Sequence, residues 1–170
     1  GATSQDVSLA LAGSGAVQNI NNTTLASVEN TVASTDYLSI KGSSASSLVT
    51  VAGQVGVETS KKGVAAGLTW AENNMNHPSG AYAKGITMNG IDEIGAKLNL
   101  AAENKAKTWA VAVGASVALG NGAAEGAYAE NSGKNNTEAI VDKYGTRKNT
   151  INNAKNISVA AKDTSVEKGI

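Results

Sequence analysis

Apolar and polar residues alternate along this chain in short runs. Val7-Ser8-Leu9-Ala10-Leu11, Val49-Thr50-Val51, Val55-Gly56-Val57, Val111-Ala112-Val113 and Ile157-Ser158-Val159 are β-branched and of period two, the pattern of strands with one buried face. Between them, Asn19-Ile20-Asn21-Asn22, Asn73-Asn74-Met75-Asn76, Gly120-Asn121-Gly122, Asn135-Asn136 and Asn152-Asn153 suit tight turns, because Gly and Asn tolerate positive φ and Asn can bond its own backbone. Turns at that frequency leave no room for long helices. The best helical rival spans 91–107, where Ile91, Ile94, Leu98 and Ala101 fall at helical spacing; strand is the preferred reading there too. The segment 132–149, with Lys134, Asp142, Lys143, Arg147 and Lys148, breaks the apolar rhythm and predicts a polar side loop or hairpin.

Some of these runs repeat. Leu38-Ser39-Ile40, Leu98-Asn99-Leu100 and Ile157-Ser158-Val159 lie 60 and 59 residues apart. Closing glycines at Gly13, Gly53 and Gly114 lie 40 and 61 apart, and Gly80-Ala81-Tyr82-Ala83 is echoed by Gly126-Ala127-Tyr128-Ala129. These intervals are near multiples of about 20 residues, the size of one coil of a repeat solenoid. The expected fold is therefore all-β, a right-handed parallel β-helix of roughly 20-residue coils. Residues 1–170 are read as a single β-helix segment without an internal linker. Roughly eight such coils, stacked about 4.8 Å apart, would make a rod near 40 Å long. Small inward side chains would line a narrow bore, Val111 or Val113 among them, and turn asparagines would stack as amide ladders. Neither end reads as capped, so the expectation is a piece excised from a much longer array.

Composition supports a thin interior. Apolar residues make up 41% of the chain, but there is no Phe and only 4% is aromatic, so the large rings that fill ordinary cores are scarce. Fourteen basic residues balance fourteen acidic ones, which argues against nucleic acid as a partner. The chain has no Cys, hence no disulfide framework and no thiolate metal site.

The chain is poor in groups for catalysis, which needs convergent acids, bases or nucleophiles. His77, the single histidine, sits in Asn76-His77-Pro78 and reads as a surface turn residue. Asp92-Glu93 is the adjacent acid pair, but neighbours on a strand face opposite ways. No calcium nonapeptide and no phosphate loop is present. The expectations are accordingly no enzyme, no catalytic residue, no metal and no cofactor. Tyr82 and Tyr128, sharing the Gly-Ala-Tyr-Ala context, are the candidate ligand-stacking residues.

Ser8-Leu9-Ala10-Leu11-Ala12-Gly13-Ser14-Gly15-Ala16-Val17-Gln18-Asn19-Ile20-Asn21-Asn22 and Ala110-Val111-Ala112-Val113-Gly114-Ala115-Ser116-Val117-Ala118 resemble repeats of very large bacterial exoproteins. Those are the filamentous haemagglutinin and haemolysin-like proteins, their leukotoxin-like relatives and autotransporter passengers. The resemblance covers most of the chain outside 132–149. It implies a β-helical shaft segment of a secreted or surface-displayed adhesin, extracellular, with the full-length protein exported through an outer-membrane β-barrel. Implied partners are a host-cell surface protein or glycan, and the segment itself would be monomeric. The alternative functions are a segment of a secreted leukotoxin or haemolysin-type toxin and, behind it, a carbohydrate-active β-helix enzyme.

Overall fold

The computed structural model describes residues 8–91 and 95–170; the acid pair Asp92-Glu93 lies outside them. Among the described residues every regular element is a strand. The chain makes three successive passes. The first comprises β1 (Leu9–Asn21), β2 (Thr24–Glu29), β3 (Val32–Ser34) and β4 (Tyr37–Glu58). The second comprises β5 (Val64–Asn76), β6 (Ser79–Lys84), β7 (Thr87–Asn89) and β8 (Ala96–Ala118). The third comprises β9 (Gly122–Lys134), β10 (Thr137–Asp142), β11 (Thr150–Asn152), β12 (Ala154–Asp163) and β13 (Val166–Gly169).

Each pass stacks on the one before it. The sheets run β1-β5-β9, β2-β6-β10 and β3-β7-β11, while β8 lies between β4 on one side and β12 and β13 on the other, with parallel pairing throughout. The strand at each layer of the middle pass therefore has both backbone edges satisfied, while the outer passes each keep one open edge.

The length of a pass corrects the expected coil. Leu9 lies against Val64 and Val64 against Gly122, offsets of 55 and 58 residues. Leu38, Leu98 and Ile157 are stacked neighbours, so the interval of about 60 is one whole turn of the chain and not three coils of about 20. The closing glycines are not stacked: Gly13 meets Leu68, and Gly53 meets Val113 while Gly114 meets Gln54. The rod of eight coils is likewise replaced by three layers, about 14 Å deep along the stacking direction.

The error has a physical origin. Gly53 and Gly114 lie inside long strands and do not close repeats, and the Asn19-to-Asn21 and Asn73-to-Asn76 runs, whose residue types suit turns, are strand as well. Many real corners are short, as at 22–23, 77–78 and 135–136. Asn30 and Asn153, with φ of 47° and 54°, turn two of them in the left-handed region.

The expected polar side loop or hairpin at 132–149 is confined to the end of that range. Its first part continues β9 and forms β10, which pairs with β6. The residue left over is a tight hairpin, closed by an antiparallel bridge between Tyr144 and Arg147 and turned at Gly145 with φ 58°. It is tied down firmly: Arg147 donates to Asn30 Oδ1 at 2.8 Å, Thr87 Oγ1 at 3.0 Å and Thr31 O at 3.4 Å, spanning the first and second passes.

The interior has two characters. Where β2, β3 and the first half of β4 wrap round, Ile40, Ile86, Met88, Leu98 and Leu100 pack with Ala81, Ala83, Ala96 and Ala102. Where the second half of the long strands faces β1 and β5, the core narrows to Ala52, Ala71, Ala110 and Ala112. Alternation holds there, but with alanine inside and valine outside: Ala110 is fully buried, whereas Val113 is 59% exposed. The expected inward Val111 or Val113 is thus reversed: the inward positions here carry small or polar side chains such as Ala52, Ala110, Thr50 and Thr69, which suit closely facing sheets.

Candidate functional site

Two clusters of chemically capable side chains stand out, one buried and one on the surface. The buried cluster surrounds His77, which is fully enclosed and not the expected surface turn residue. The Asn76-His77-Pro78 corner aims the imidazole inward, and its Nε2 hydrogen-bonds with the hydroxyl of Ser44 and, at 3.2 Å, with that of Ser46. Asn104 Nδ2 donates to the backbone carbonyl of His77 at 3.2 Å. A serine hydroxyl against an imidazole is half of a nucleophile–base arrangement. Ser44 is only 5% exposed, and among the described residues no carboxylate bonds the ring, so neither substrate access nor an orienting acid is provided. Nearby, Ser79 Oγ, Asn104 Oδ1 and Thr108 Oγ1 are buried without a hydrogen-bond partner, which makes this the least well satisfied part of the core.

The surface cluster lies on the outward face of β1, β5 and β9. Alternation sends Gly13, Gly15, Val17, Asn19 and Asn21 of β1 outward, and parallel register places Leu68, Trp70, Glu72, Asn74 and Asn76 of β5 beside them. In β9 the same rows continue as Gly126, Tyr128, Glu130, Ser132 and Lys134. The Trp70 and Tyr128 rings meet with centroids 4.9 Å apart and planes tilted by 54°, a favourable aromatic geometry. They remain 43% and 46% exposed.

Each ring edge is tied to the carboxylate two residues on. Trp70 Nε1 donates to Glu72 Oε2 at 3.2 Å, and the Tyr128 hydroxyl donates to Glu130 Oε2 at 2.6 Å. The bond to Glu130, partial desolvation and the charges of Glu130 and Glu72 together raise the Tyr128 pKa above the ordinary phenol value. Asn74 Nδ2 donates to Glu72 Oε1 at 2.7 Å and to Asn19 Oδ1 at 3.0 Å, and Asn76 Nδ2 donates to Asn21 Oδ1 at 2.8 Å. These amide ladders are of the kind anticipated, though they run along strands and not at turns. Beside them opens a groove of about 380 Å³ bordered by Asn19, Asn21, Asn74, Asn76, Ser132 and Lys134.

Of the two tyrosines singled out from sequence, Tyr128 belongs to this face and Tyr82 does not. Tyr82 sits on β6 between Ser27 and Ile140, its hydroxyl donating to Glu138 Oε2 at 3.1 Å and Lys84 Nζ lying 4.9 Å over its ring. Burial first, then the bond and charge of Glu138, raise its pKa. The shared Gly-Ala-Tyr-Ala context misled because β6 and β9 belong to different sheets. The ring that meets Tyr128 is Trp70, 58 residues earlier, one pass away by the β5–β9 register. The aromatic-x-acid spacing in Trp70-x-Glu72 and Tyr128-x-Glu130 was the signal available for finding it.

Among the described residues no group of His, Asp and Glu side chains is placed to hold a metal ion. Among the same residues no helix is long and apolar enough to cross a membrane. No family model matches the sequence, and neither a curated protein nor a solved structure matches the chain.

Proposed function

We propose that the chain is a shaft segment of a large secreted or surface-displayed bacterial exoprotein, built as a right-handed parallel β-helix that extends, displays and adheres. The observation that carries this reading is the parallel stacking of three passes, β5 to β7 each lying between their equivalents in the first and third, and β8 between β4 and β12–β13 as far as Ala110. Such stacking adds length by repeating a layer, so it suits a protein whose purpose is reach. Right-handedness follows the general rule for parallel crossover connections. The extracellular setting, export through an outer-membrane β-barrel and contact with a host surface come from the resemblance of the Ser8–Asn22 and Ala110–Ala118 runs to exoprotein repeats. The Ser44–His77 contact, the nucleophile–base pair of the buried cluster, is enclosed, which fits a shaft better than a catalyst.

Hydrogen exchange tests the architecture. Amides of β5 to β8, hydrogen-bonded as the middle layer, are expected to exchange more slowly than those of β1 to β3 and β9 to β11. Uniform exchange across the three passes would dismiss the stacked arrangement. Binding of the purified protein to host cells without lysis would favour the adhesive shaft, and lysis would favour the toxin class instead.

A further inference from the structure

We propose that the Trp70–Tyr128 corner, with the carboxylate and amide rows beside it, is a binding site for a neutral oligosaccharide. This deepens the adhesive part of the proposed function and rests on it for the display of this face.

The first argument is the open shelf. On the β1 side Trp70 is registered with Gly15, and a methyl group added at Gly15 would meet nothing within 4 Å. At Gly13, opposite Leu68, the nearest atom would be 3.9 Å away. Two glycines therefore leave uncovered the space beside Leu68 and Trp70, on a strand whose other outward positions carry Leu11 and Val17. The indole has one side against Tyr128 and is 43% exposed. The contrast is Trp109 on the opposite sheet, whose ring lies under Lys168 Nζ at 5.5 Å and is already taken.

The second argument is preorganisation. Both rings are held by hydrogen bonds from their polar edges, so little rotamer freedom would be lost on binding. A pyranose has an apolar face of C–H groups and a rim of hydroxyls in one rigid unit. The face fits an exposed indole, and the hydroxyls find acceptors, because an ionised carboxylate takes about four hydrogen bonds and Glu72 and Glu130 use only part of that capacity.

Reach and charge narrow the ligand. From Trp70 to Asn76 is six residues of extended strand, about 20 Å, with an outward polar side chain at every second residue and the groove at the far end. That is a row for several linked sugar units and not for one. Glu72 and Glu130 are direct cross-strand neighbours, so a sulfated or sialylated chain would meet like charge at the stacking position.

The test is a fluorescence and calorimetric titration of the 170-residue protein with cello- and chito-oligosaccharides of four to six units, on the order of the row's length, and with a heparin-derived oligosaccharide of similar size. Saturable binding of a neutral oligosaccharide is expected, weakened at least about tenfold in Trp70→Ala and in Tyr128→Ala and unchanged in Trp109→Ala. Gly15→Val, which fills the shelf beside Trp70 while leaving both rings in place, is expected to weaken it as well. No binding of any neutral oligosaccharide, equal binding by Trp70→Ala, or tighter binding of the heparin fragment would each overturn the proposal. Circular dichroism of every variant separates loss of fold from loss of site. A protein that keeps its layered hydrogen exchange but binds no sugar removes this site and leaves the shaft standing.

Discussion

At Gly42 the backbones of β4 and β6 pass in close contact. Gly42 faces inward on β4, and a methyl group built there would lie 2.2 Å from the carbonyl oxygen and 2.9 Å from the carbonyl carbon of Gly80. Both are backbone atoms, and Gly80 is held in the β2-β6-β10 sheet between Leu25 and Glu138, so it cannot give way without disturbing two ladders. Gly42→Ala is therefore an overpacking substitution costing up to about 3 kcal/mol. Alanine recovers about 0.5–1 kcal/mol over glycine within a strand, leaving a net loss of about 2 kcal/mol. For a chain of this length that lowers the Tm by about 4–8 °C. Gly53→Ala on the same strand is the control, because its methyl would stop 3.6 Å from Val113 O, at ordinary contact distance, and should leave the Tm level or slightly higher. Thermal melts followed at the strand band of the circular dichroism spectrum measure both. A Gly42→Ala variant melting together with Gly53→Ala would show that the two backbones do not pass in contact at this point.

Other substitutions probe other parts of the chain. Thr108→Val removes a buried hydroxyl that bonds nothing and keeps its shape, so chemical denaturation should show unchanged or higher stability, by up to about 1 kcal/mol. His77→Ala leaves a cavity and strands the Ser44 and Ser46 hydroxyls, and the same assay should register a loss of about 2–4 kcal/mol. Ala112→Asp should unfold the protein or cost several kcal/mol through a buried unpaired charge, while Val113→Asp on the outward face should be tolerated; equal damage from both would contradict the alanine-in, valine-out phase. In an ultraviolet titration Tyr128 should ionise above the ordinary tyrosine range, and Glu130→Gln should move it back down. Because the folded-state value is the raised one, the contact stabilises the protein below the ordinary phenol pKa of about 10 and is lost as pH climbs through the raised value.

What could be read in advance followed from period two, and what could not followed from distance. The recurrence of Leu38, Leu98 and Ile157 was visible, and these residues do stack. The length of the unit was misjudged because strands as long as β4 and β8 contain glycine and asparagine at positions where short strands would end. In a parallel stack a glycine is tolerated where the layers above and below hold it, so local turn chemistry loses its authority. The phase of the alternation was lost for a related reason: valine outside and alanine inside inverts the usual assignment, and only the narrow gap between facing sheets decides it. His77 and Trp70 show the same limit. Each depends on partners one pass or half a pass away, Ser44 for the first and Tyr128 for the second, which no local window contains.

The long pass also governs how the chain can come to be folded. The ladder pairs between layers join residues 55 to 63 positions apart, so almost no native pairing is available to a chain that has not yet completed its first circuit. The added loop-closure cost over a 20-residue coil is small, about 0.9 kcal/mol per closure. The kinetic consequence is larger, because topologies dominated by distant contacts fold slowly and nucleation must wait for the second pass to arrive. Until Val64 reaches Leu9 the first pass is an unpaired string of alternating residues. A protein of this kind gains its order from the direction in which it is delivered, one circuit at a time, and the first circuit is the one that waits longest.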